Sequence, residues 1–255
     1  MTVRLGVTGA TGRMGGEVLA EAAAREDCEV VLATGHNDAG GVVAGVELHP
    51  ADEFAERLVA REPSVVVDFT VPEATVGFAR ACAEANVALV TGTTGLTDED
   101  RDVLDDAAEQ APVLRAPNFA RGVQAMVNVI GDAVGSLPGY DVELVETHHN
   151  DKQDAPSGTA IRLLEEIEKS GDFTGRTHGR VGDQPRETGE IGVHSLRAGN
   201  VTGEHEIVIA GNHEEVRLTH RAEDRGVFAA GALDAAVWLA GRDPGRYDFA
   251  QVIDE

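Results

Sequence analysis

The stretch from Val3 to Arg25 constrains the fold more than any other. Val3-Arg4-Leu5-Gly6-Val7 alternates and is β-branched, so it reads as a strand. Gly9-Ala10-Thr11-Gly12-Arg13-Met14-Gly15 follows at once, and a helical pattern then runs to about Arg25. Strand, glycine-rich turn and helix in that order form a dinucleotide-binding arrangement. The glycines permit a tight turn and close backbone approach. The first turn of the helix then offers unpaired N–H groups, and the positive end of its dipole, to a pyrophosphate. The spacing is G-x-x-G-x-x-G, a variant of the more familiar G-x-G-x-x-G.

The following hundred residues repeat the strand–helix rhythm. Residues 29–34 predict a second strand, ending in Thr34-Gly35-His36-Asn37. An NAD-preferring site would place an acid there for the ribose, and no acid occurs before Asp38. His36 is available to a 2′-phosphate, so the site leans toward NADPH while NADH stays open. Helices are expected over 51–61, from Pro72 to about Ala85, and over 98–110 with Thr97 as N-cap. Strands are expected over 65–70, 87–91 and 113–114. Such alternation predicts a parallel sheet with its functional loops at the carboxyl ends of the strands. The turns at Gly9–Gly15, Asp68–Thr70, Gly92–Gly95 and Pro117–Phe119 all fall at such ends.

After Phe119 the rhythm changes. An apolar helix is expected over 122–137, a strand over 141–147 and an amphipathic helix over 159–170. Residues 171–188 are charged and irregular and predict a long loop or lid. Three strands (189–197, 204–210, 214–219) and a closing helix (226–241) complete the chain. Closely spaced strands after an α/β half imply a second, α+β domain with a mixed or mostly antiparallel sheet.

The strand at 141–147 delivers Glu146-Thr147-His148-His149-Asn150-Asp151-Lys152, and then Asp154-Ala155-Pro156-Ser157-Gly158-Thr159-Ala160. On an extended backbone His148 and His149 face opposite sides, which points to different tasks. Histidine is the usual proton donor near neutral pH, and lysine brings a fixed charge or a proton. Ser157-Gly158-Thr159 opens a helix, whose N–H groups suit a carboxylate. The ligand expected here is a small anion that receives a proton. Beside a dinucleotide domain, that chemistry is hydride plus proton addition to a C=N or conjugated C=C bond.

Charge sharpens Lys152. The formal net charge is −24, and Lys152 and Lys169 are the only lysines, the other 19 basic residues being arginine. A retained lysine in such a chain has a task more often than one in an ordinary surface. Acids spread along a folded, lysine-poor chain suggest a protein built for high salt. Disorder is excluded by 42% apolar content and strong periodicity, and nucleic acid by the lack of any basic stripe. No apolar run reaches membrane-span length, and the first residues enter a strand with no basic leader, so a cytoplasmic protein without a membrane partner is expected. Cys28 and Cys82 lie in apolar contexts and read as buried thiols. No metal is expected, because Asn150 and Asp151 complete no ligand spacing around the two histidines. A serine hydrolase is disfavoured by the absence of a G-x-S-x-G elbow. A semialdehyde dehydrogenase would need a nucleophilic cysteine, for which Cys82 is a poor candidate.

Read together, G-A-T-G-R-M-G at 9–15, D-F-T at 68–70, G-T-T-G at 92–95, A-P-N-F at 116–119 and E-T-H-H-N-D-K-Q-D-A-P-S-G-T-A at 146–160 resemble the 4-hydroxy-tetrahydrodipicolinate (dihydrodipicolinate) reductase family. The likeness continues through G-E-I-G-V-H-S-L-R-A-G at 189–199 and H-R-A-E-D-R-G-V-F-A-A-G-A at 220–232. It implies an α/β chain: a Rossmann-type domain from 1–119 plus 220–255, around an α+β substrate and oligomerisation domain at 120–219. It also implies NADPH or NADH as cofactor, a small dicarboxylate substrate, reduction to tetrahydrodipicolinate on the diaminopimelate route to lysine, and a homotetramer built through the second domain's sheet. By the same likeness His148 and Lys152 are catalytic, and His149, Gly158 and Thr159 bind substrate. The cofactor falls to Gly9, Ala10, Thr11, Gly12, Arg13, Met14, Gly92, Thr93, Thr94, Ala116, Pro117, Asn118 and Phe119, with His36 added from the reading of the second strand. The chain departs from the family at Gly35-His36, where an acidic–basic pair is frequent, and at Ala120, where serine is usual. The alternative is a dinucleotide-binding sensor of the same fold that has no catalysis.

Overall fold

The computed structural model describes residues 2–35 and 40–254. The chain forms two compact units, one of residues 1–120 with 225–255 and the other of residues 121–224.

In the first unit, β1 (Val3–Val7) leads through the glycine turn into α1 (Arg13–Ala23) and β2 (Cys28–Gly35). A hairpin of β3 (Val42–Val43) and β4 (Val46–Pro50) precedes α2 (Phe54–Arg61). Then β5 (Val65–Asp68), α3 (Pro72–Ala85), β6 (Ala88–Thr91), α4 (Asp98–Ala108) and β7 (Pro112–Arg115) alternate as the sequence predicts. Thr97 caps α4 in a capping box, its hydroxyl accepting from the Asp100 N–H while the Asp100 carboxylate accepts from the Thr97 N–H. The chain returns to this unit as α7 (Gly226–Leu239), β13 (Gly245–Tyr247) and α8 (Phe249–Asp254).

The sheet order is β13-β7-β6-β5-β1-β2-β4-β3, parallel throughout except at the β3 edge. From β1 the chain moves outward to β2 and β4, then crosses to build β5, β6 and β7 on the other side. The switch point therefore lies between β1 and β5, where an open α/β sheet binds its ligand. Val65, Val66 and Val67 are all essentially inaccessible, as a strand covered on both faces requires. Apart from Asp234, helix α7 is apolar and rich in small residues, so it packs at short range. A Cβ on Gly231 would sit 1.8 Å from the Phe119 carbonyl oxygen.

The second unit holds α5 (Arg121–Ser136), β8 (Asp141–His148), α6 (Gly158–Ser170), β9 (Gly175–His178), β10 (Glu190–Arg197), β11 (Gly203–Gly211) and β12 (Glu214–Ala222). Its sheet runs β12-β11-β8-β10-β9 and is mixed: β10 is parallel to both β8 and β9, and β11 is antiparallel to β8 and β12. β12 passes the 219/220 junction expected from the sequence, because Arg221 and Ala222 still pair with Glu204 and Gly203. The strict alternation of β8, with Val142, Leu144, Glu146 and His148 buried and their neighbours partly exposed, presses that face onto a core that includes Ile130, Leu163 and Ile167.

The 171–188 segment expected as a loop contains β9. Its Gly175-Arg176-Thr177-His178 has no apolar alternation. Side chains hold it at the edge instead: Thr177 donates to Glu190 at 2.7 Å, and Arg176 grips Glu168 through two 2.7 Å bonds. The hairpin β3–β4, β13 and α8 were likewise absent from the sequence-based expectation.

Asp68 ends β5 at the switch point and is fully buried. Its Oδ1 accepts from Thr8 at 2.7 Å and Thr70 at 2.6 Å, and its Oδ2 from Thr75 at 2.6 Å, Thr91 at 2.9 Å and Thr93 at 3.0 Å. One carboxylate thus ties together the ends of β1, β5 and β6 and the start of α3. Asp68→Ala would strand several buried hydroxyls and is expected to lower stability by about 3 kcal/mol or more. Asp68→Asn, which keeps one acceptor oxygen, should lose clearly less; urea unfolding at molar KCl measures both.

Candidate functional site

The glycine turn has the geometry of a phosphate cradle. Gly9 takes φ +60°, open to glycine at little cost. A Cβ on Gly15 would lie 2.1 Å from the Gly9 carbonyl oxygen, and one on Gly12 would lie 3.1 Å from it. Helix α1 begins directly after, with Gly12 as N-cap, no side-chain cap and no acid in its first turn. Its leading N–H groups are left for an anion. Thr11, Gly12 and Arg13 are exposed, Gly9 and Met14 are partly so, and Ala10 is buried. These residues fit a dinucleotide pyrophosphate on the strength of the cradle alone.

The other loops at this sheet edge differ among themselves. Gly92 must be glycine, since a Cβ would strike the Phe69 ring at 2.0 Å. Thr93 is buried with its hydroxyl committed to Asp68, so what it offers a ligand is backbone; Thr94 is exposed. Pro117 is exposed, Asn118 partly buried and Ala116 buried, and the Asn118 side chain accepts from the Ala120 N–H at 2.7 Å. The Phe119 ring is 1% exposed and lies edge-on between Phe69 at 5.6 Å and Phe249 at 5.2 Å. Its side chain is core, and Phe69 is the partly exposed ring beside it. His36 lies outside the described residues.

The second cluster is built on β8. Glu146 and His148, two apart on one strand, share its buried face. Glu146 is wholly buried, and its Oε2 lies 2.5 Å from His148 Nδ1. Arg197, on the neighbouring β10, donates to both Glu146 oxygens at 2.8 and 2.9 Å, because parallel pairing sets Arg197 opposite His148. The Ser157 N–H also donates to Glu146 at 3.3 Å. Burial opposes ionisation of Glu146, but bonds from Arg197, Ser195 and His148 outweigh it and hold the carboxyl down at about 2. For His148, burial is the largest influence and lowers its basicity. Glu146 opposes that, while Lys152 and Arg197 reinforce it.

His149 follows the strand and is partly exposed, whereas His148 is buried. Lys152 is partly buried, and its Nζ lies 2.8 Å from Asp154. The Ser157 hydroxyl caps α6, accepting from the Ala160 N–H at 3.2 Å. Gly158 is the first residue of that helix and is exposed, and Thr159 is partly exposed. The helix carries no acid in its first turn. It therefore presents an anion-favouring end within the same segment as His149 and Lys152. His148, His149, Lys152, Gly158 and Thr159 thus lie on one strand end, the loop after it and the helix that follows.

Three participants were not singled out in the sequence. Glu146 was visible as the residue two before His148, where strand periodicity puts both on one face. Arg197 lies 51 residues away, and only the β8–β10 register brings it in. His205 on β11 stacks edge-on against His148 at 5.2 Å, and its Nε2 is 3.0 Å from the Ser157 hydroxyl. Burial, and then the neighbouring His148, press its basicity down to about 3.

Comparison with known proteins agrees with this geometry. Residues 3–119 match the family model described as dihydrodipicolinate reductase, N-terminus, and residues 122–253 match the one described as dihydrodipicolinate reductase, C-terminus. A 4-hydroxy-tetrahydrodipicolinate reductase of Haloarcula marismortui is 51% identical over 98% of this chain and 99% of its own length. One of Natronomonas pharaonis is 50% identical over 97% of this chain and 98% of its own. Among solved structures, a dipicolinate-bound dihydrodipicolinate reductase from Paenisporosarcina sp. TG-14 superposes with a TM-score of 0.79 at 26% identity, covering 97% of this chain and 98% of that one. An amine dehydrogenase from Mycobacterium smegmatis shares the fold, with a TM-score of 0.65 at 15% identity over 98% of this chain and 96% of its own. The chain belongs to the dihydrodipicolinate reductase family of oxidoreductases.

Proposed function

We propose that this enzyme reduces 4-hydroxy-tetrahydrodipicolinate to tetrahydrodipicolinate on the diaminopimelate route to lysine, at the expense of NADPH or NADH and with loss of water. The observation that carries the reading is the Glu146–Ala160 segment, in which a buried, carboxylate-bonded histidine, a lysine and a helix N-terminus with no acid in its first turn stand within one loop's length. When bound, the reduced nicotinamide supplies a hydride to the substrate's conjugated double bond. The protein's share is the proton for the neighbouring atom, and the grip on two carboxylates.

In this reading His148 and Lys152 handle the proton, and His149 with the Gly158 and Thr159 N–H groups holds the dianion. The Gly9–Met14 turn, Gly92–Thr94 and Ala116–Phe119 line the dinucleotide site, with Thr93 and Phe119 contributing backbone. The lean toward NADPH rests on the sequence at the end of β2, where no acid occurs before Asp38. That the Paenisporosarcina structure is described as dipicolinate-bound supports a planar dicarboxylate as ligand. The dependence on reduced nicotinamide favours the cytoplasm, and no described helix is long and apolar enough to cross a membrane.

The second unit's sheet supports a homotetramer. On its open face, opposite the one on which Val142 and Leu144 are buried, Leu196 is 46% exposed. The net charge of −24, together with half-identical relatives from halophilic archaea, supports a working medium of high salt.

Turnover is the direct test. At molar KCl the purified protein should oxidise NADPH or NADH when fed dehydratase product made in situ, and no turnover with either cofactor would sink the reading. His148→Ala and Lys152→Ala should each lower kcat by roughly 100-fold or more if they act in proton transfer. An effect on KM alone would move them to binding. Gly15→Ala should weaken dinucleotide binding at least about tenfold by calorimetry, because its Cβ collides with backbone in the cradle. Binding of pyridine-2,6-dicarboxylate to the same variant should be unchanged.

A further inference from the structure

Among the described residues, the charged groups that act on His148 are paired with opposite charges. From its own strand comes Glu146, and from β10 comes Arg197, whose two nitrogens bond both Glu146 oxygens. From the following loop come Lys152 and Asp154, paired at 2.8 Å, and the Asp154 carbonyl also accepts from Arg197 at 2.5 Å. From β11 comes His205, and beyond it from β12 His220, both with basicity lowered by burial. His148 itself is about nine-tenths buried. Its Nδ1 is taken by Glu146, while on the Nε2 side a glycine keeps space open: a Cβ on Gly203 would come within 3.2 Å of that nitrogen.

A buried carboxylate bonded to an imidazole does two separable things. As an acceptor it fixes the proton on Nδ1 and leaves Nε2 bare. As a charge it stabilises the imidazolium and raises its pKa. In this site the second effect has an opponent, because the Arg197 guanidinium lies against the same carboxylate and cannot lose its own charge.

We propose that Arg197 is a positioning residue for His148: by holding both oxygens of Glu146 it lets the carboxylate set the imidazole's tautomer while withholding the carboxylate's charge from the ring. The ring then rests neutral, with Nε2 free, until a dianionic substrate arrives and supplies the field that makes a proton on Nε2 favourable. The lowered basicity of His148 agrees with that resting state. This rests on the reading of His148 as the proton donor, and it names the residue that tunes the donor.

The test follows His148 by nitrogen-15 NMR of the full-length protein at molar KCl, its signals assigned by comparison with His148→Asn. The unmodified protein should show the Nδ1–H tautomer and a midpoint below 6.5. An Nε2–H tautomer would overturn the proposal whatever the variants do. Arg197→Gln removes the cation but keeps a donor for Glu146, and should raise the His148 midpoint by at least one pH unit, a tenfold gain in proton affinity. Glu146→Gln should move the midpoint the other way, and the double variant should return near the original value. Arg197→Lys, which restores a charge, should bring the midpoint back toward the original. A midpoint that Arg197→Gln leaves in place or lowers overturns the idea. In turnover, Arg197→Gln should shift the pH profile of kcat/KM to higher pH by the same amount as the NMR midpoint. Turnover absent from the unmodified protein, with the NMR shifts as expected, would sink the reductase reading and leave the tuning of His148 standing.

Discussion

The second unit depends on one buried charge. Glu146 lies in the middle of a five-stranded sheet with no accessible surface, and its carboxyl is held in the ionised form. An isolated carboxylate would not stay ionised there, because its desolvation would exceed any single neutral hydrogen bond. It does so because Arg197 meets it with a two-pronged grip and because the Ser157 N–H and His148 satisfy further lone pairs. Breaking such a pair by removing one partner ordinarily costs about 3–5 kcal/mol. The pair therefore joins the order of the sheet to the chemistry. The parallel β8–β10 register that brings Arg197 to Glu146 also places Arg197 opposite His148, so a register slip would abolish both.

The first unit solves the matching problem by other means. Asp68 is equally inaccessible, yet no ion pair to it occurs among the described residues. Its partners are five threonine hydroxyls. Hydroxyls are neutral and rotate to suit, so they satisfy both side-chain oxygens of Asp68 without placing a second buried charge at the ends of β1, β5 and β6. Threonine also suits the place sterically, since its β-branch favours strand ends such as Thr8 and Thr91. The two buried carboxylates thus differ in the way their neighbourhoods require. One supports backbone loops through neutral donors, and the other holds a titrating ring and needs its charge balanced.

Much of this was legible in the residues. The Gly9–Gly15 turn carried the first unit, because collisions such as Gly15 against Gly9 admit no other residue, and the strand–helix alternation carried the sheet. The Glu146–Ala160 segment was legible because its groups are close in sequence. What remained hidden was hidden for physical reasons. β9 is held by Thr177 and Arg176 contacts to distant acids and shows no hydrophobic period. Arg197 enters through strand pairing 51 residues away, and pairing partners are not written in local pattern. Phe119 shows the opposite limit: an aromatic residue in a ligand-binding motif reads as a contact, while its ring is closed in by Phe69 and Phe249.

The arginine bias of the chain takes on a structural meaning in this light. Exposed ion pairs contribute little to stability and are screened further by salt. A planar fork that is always charged is more useful where solvent is partly excluded and geometry counts. Several arginines are used that way. Arg197 grips Glu146 with both nitrogens, Arg176 grips Glu168, and Arg25 joins Asp27 to Asp234 across two elements of the first unit. Lysine would serve none of these, being a single point of charge. A compact charge on a flexible stem occurs instead in the loop between β8 and α6, where Lys152 pairs with Asp154 at 2.8 Å. Arginine therefore holds the scaffold of this chain, while the two lysines stand outside its sheets, Lys152 in the loop after β8 and Lys169 exposed on α6.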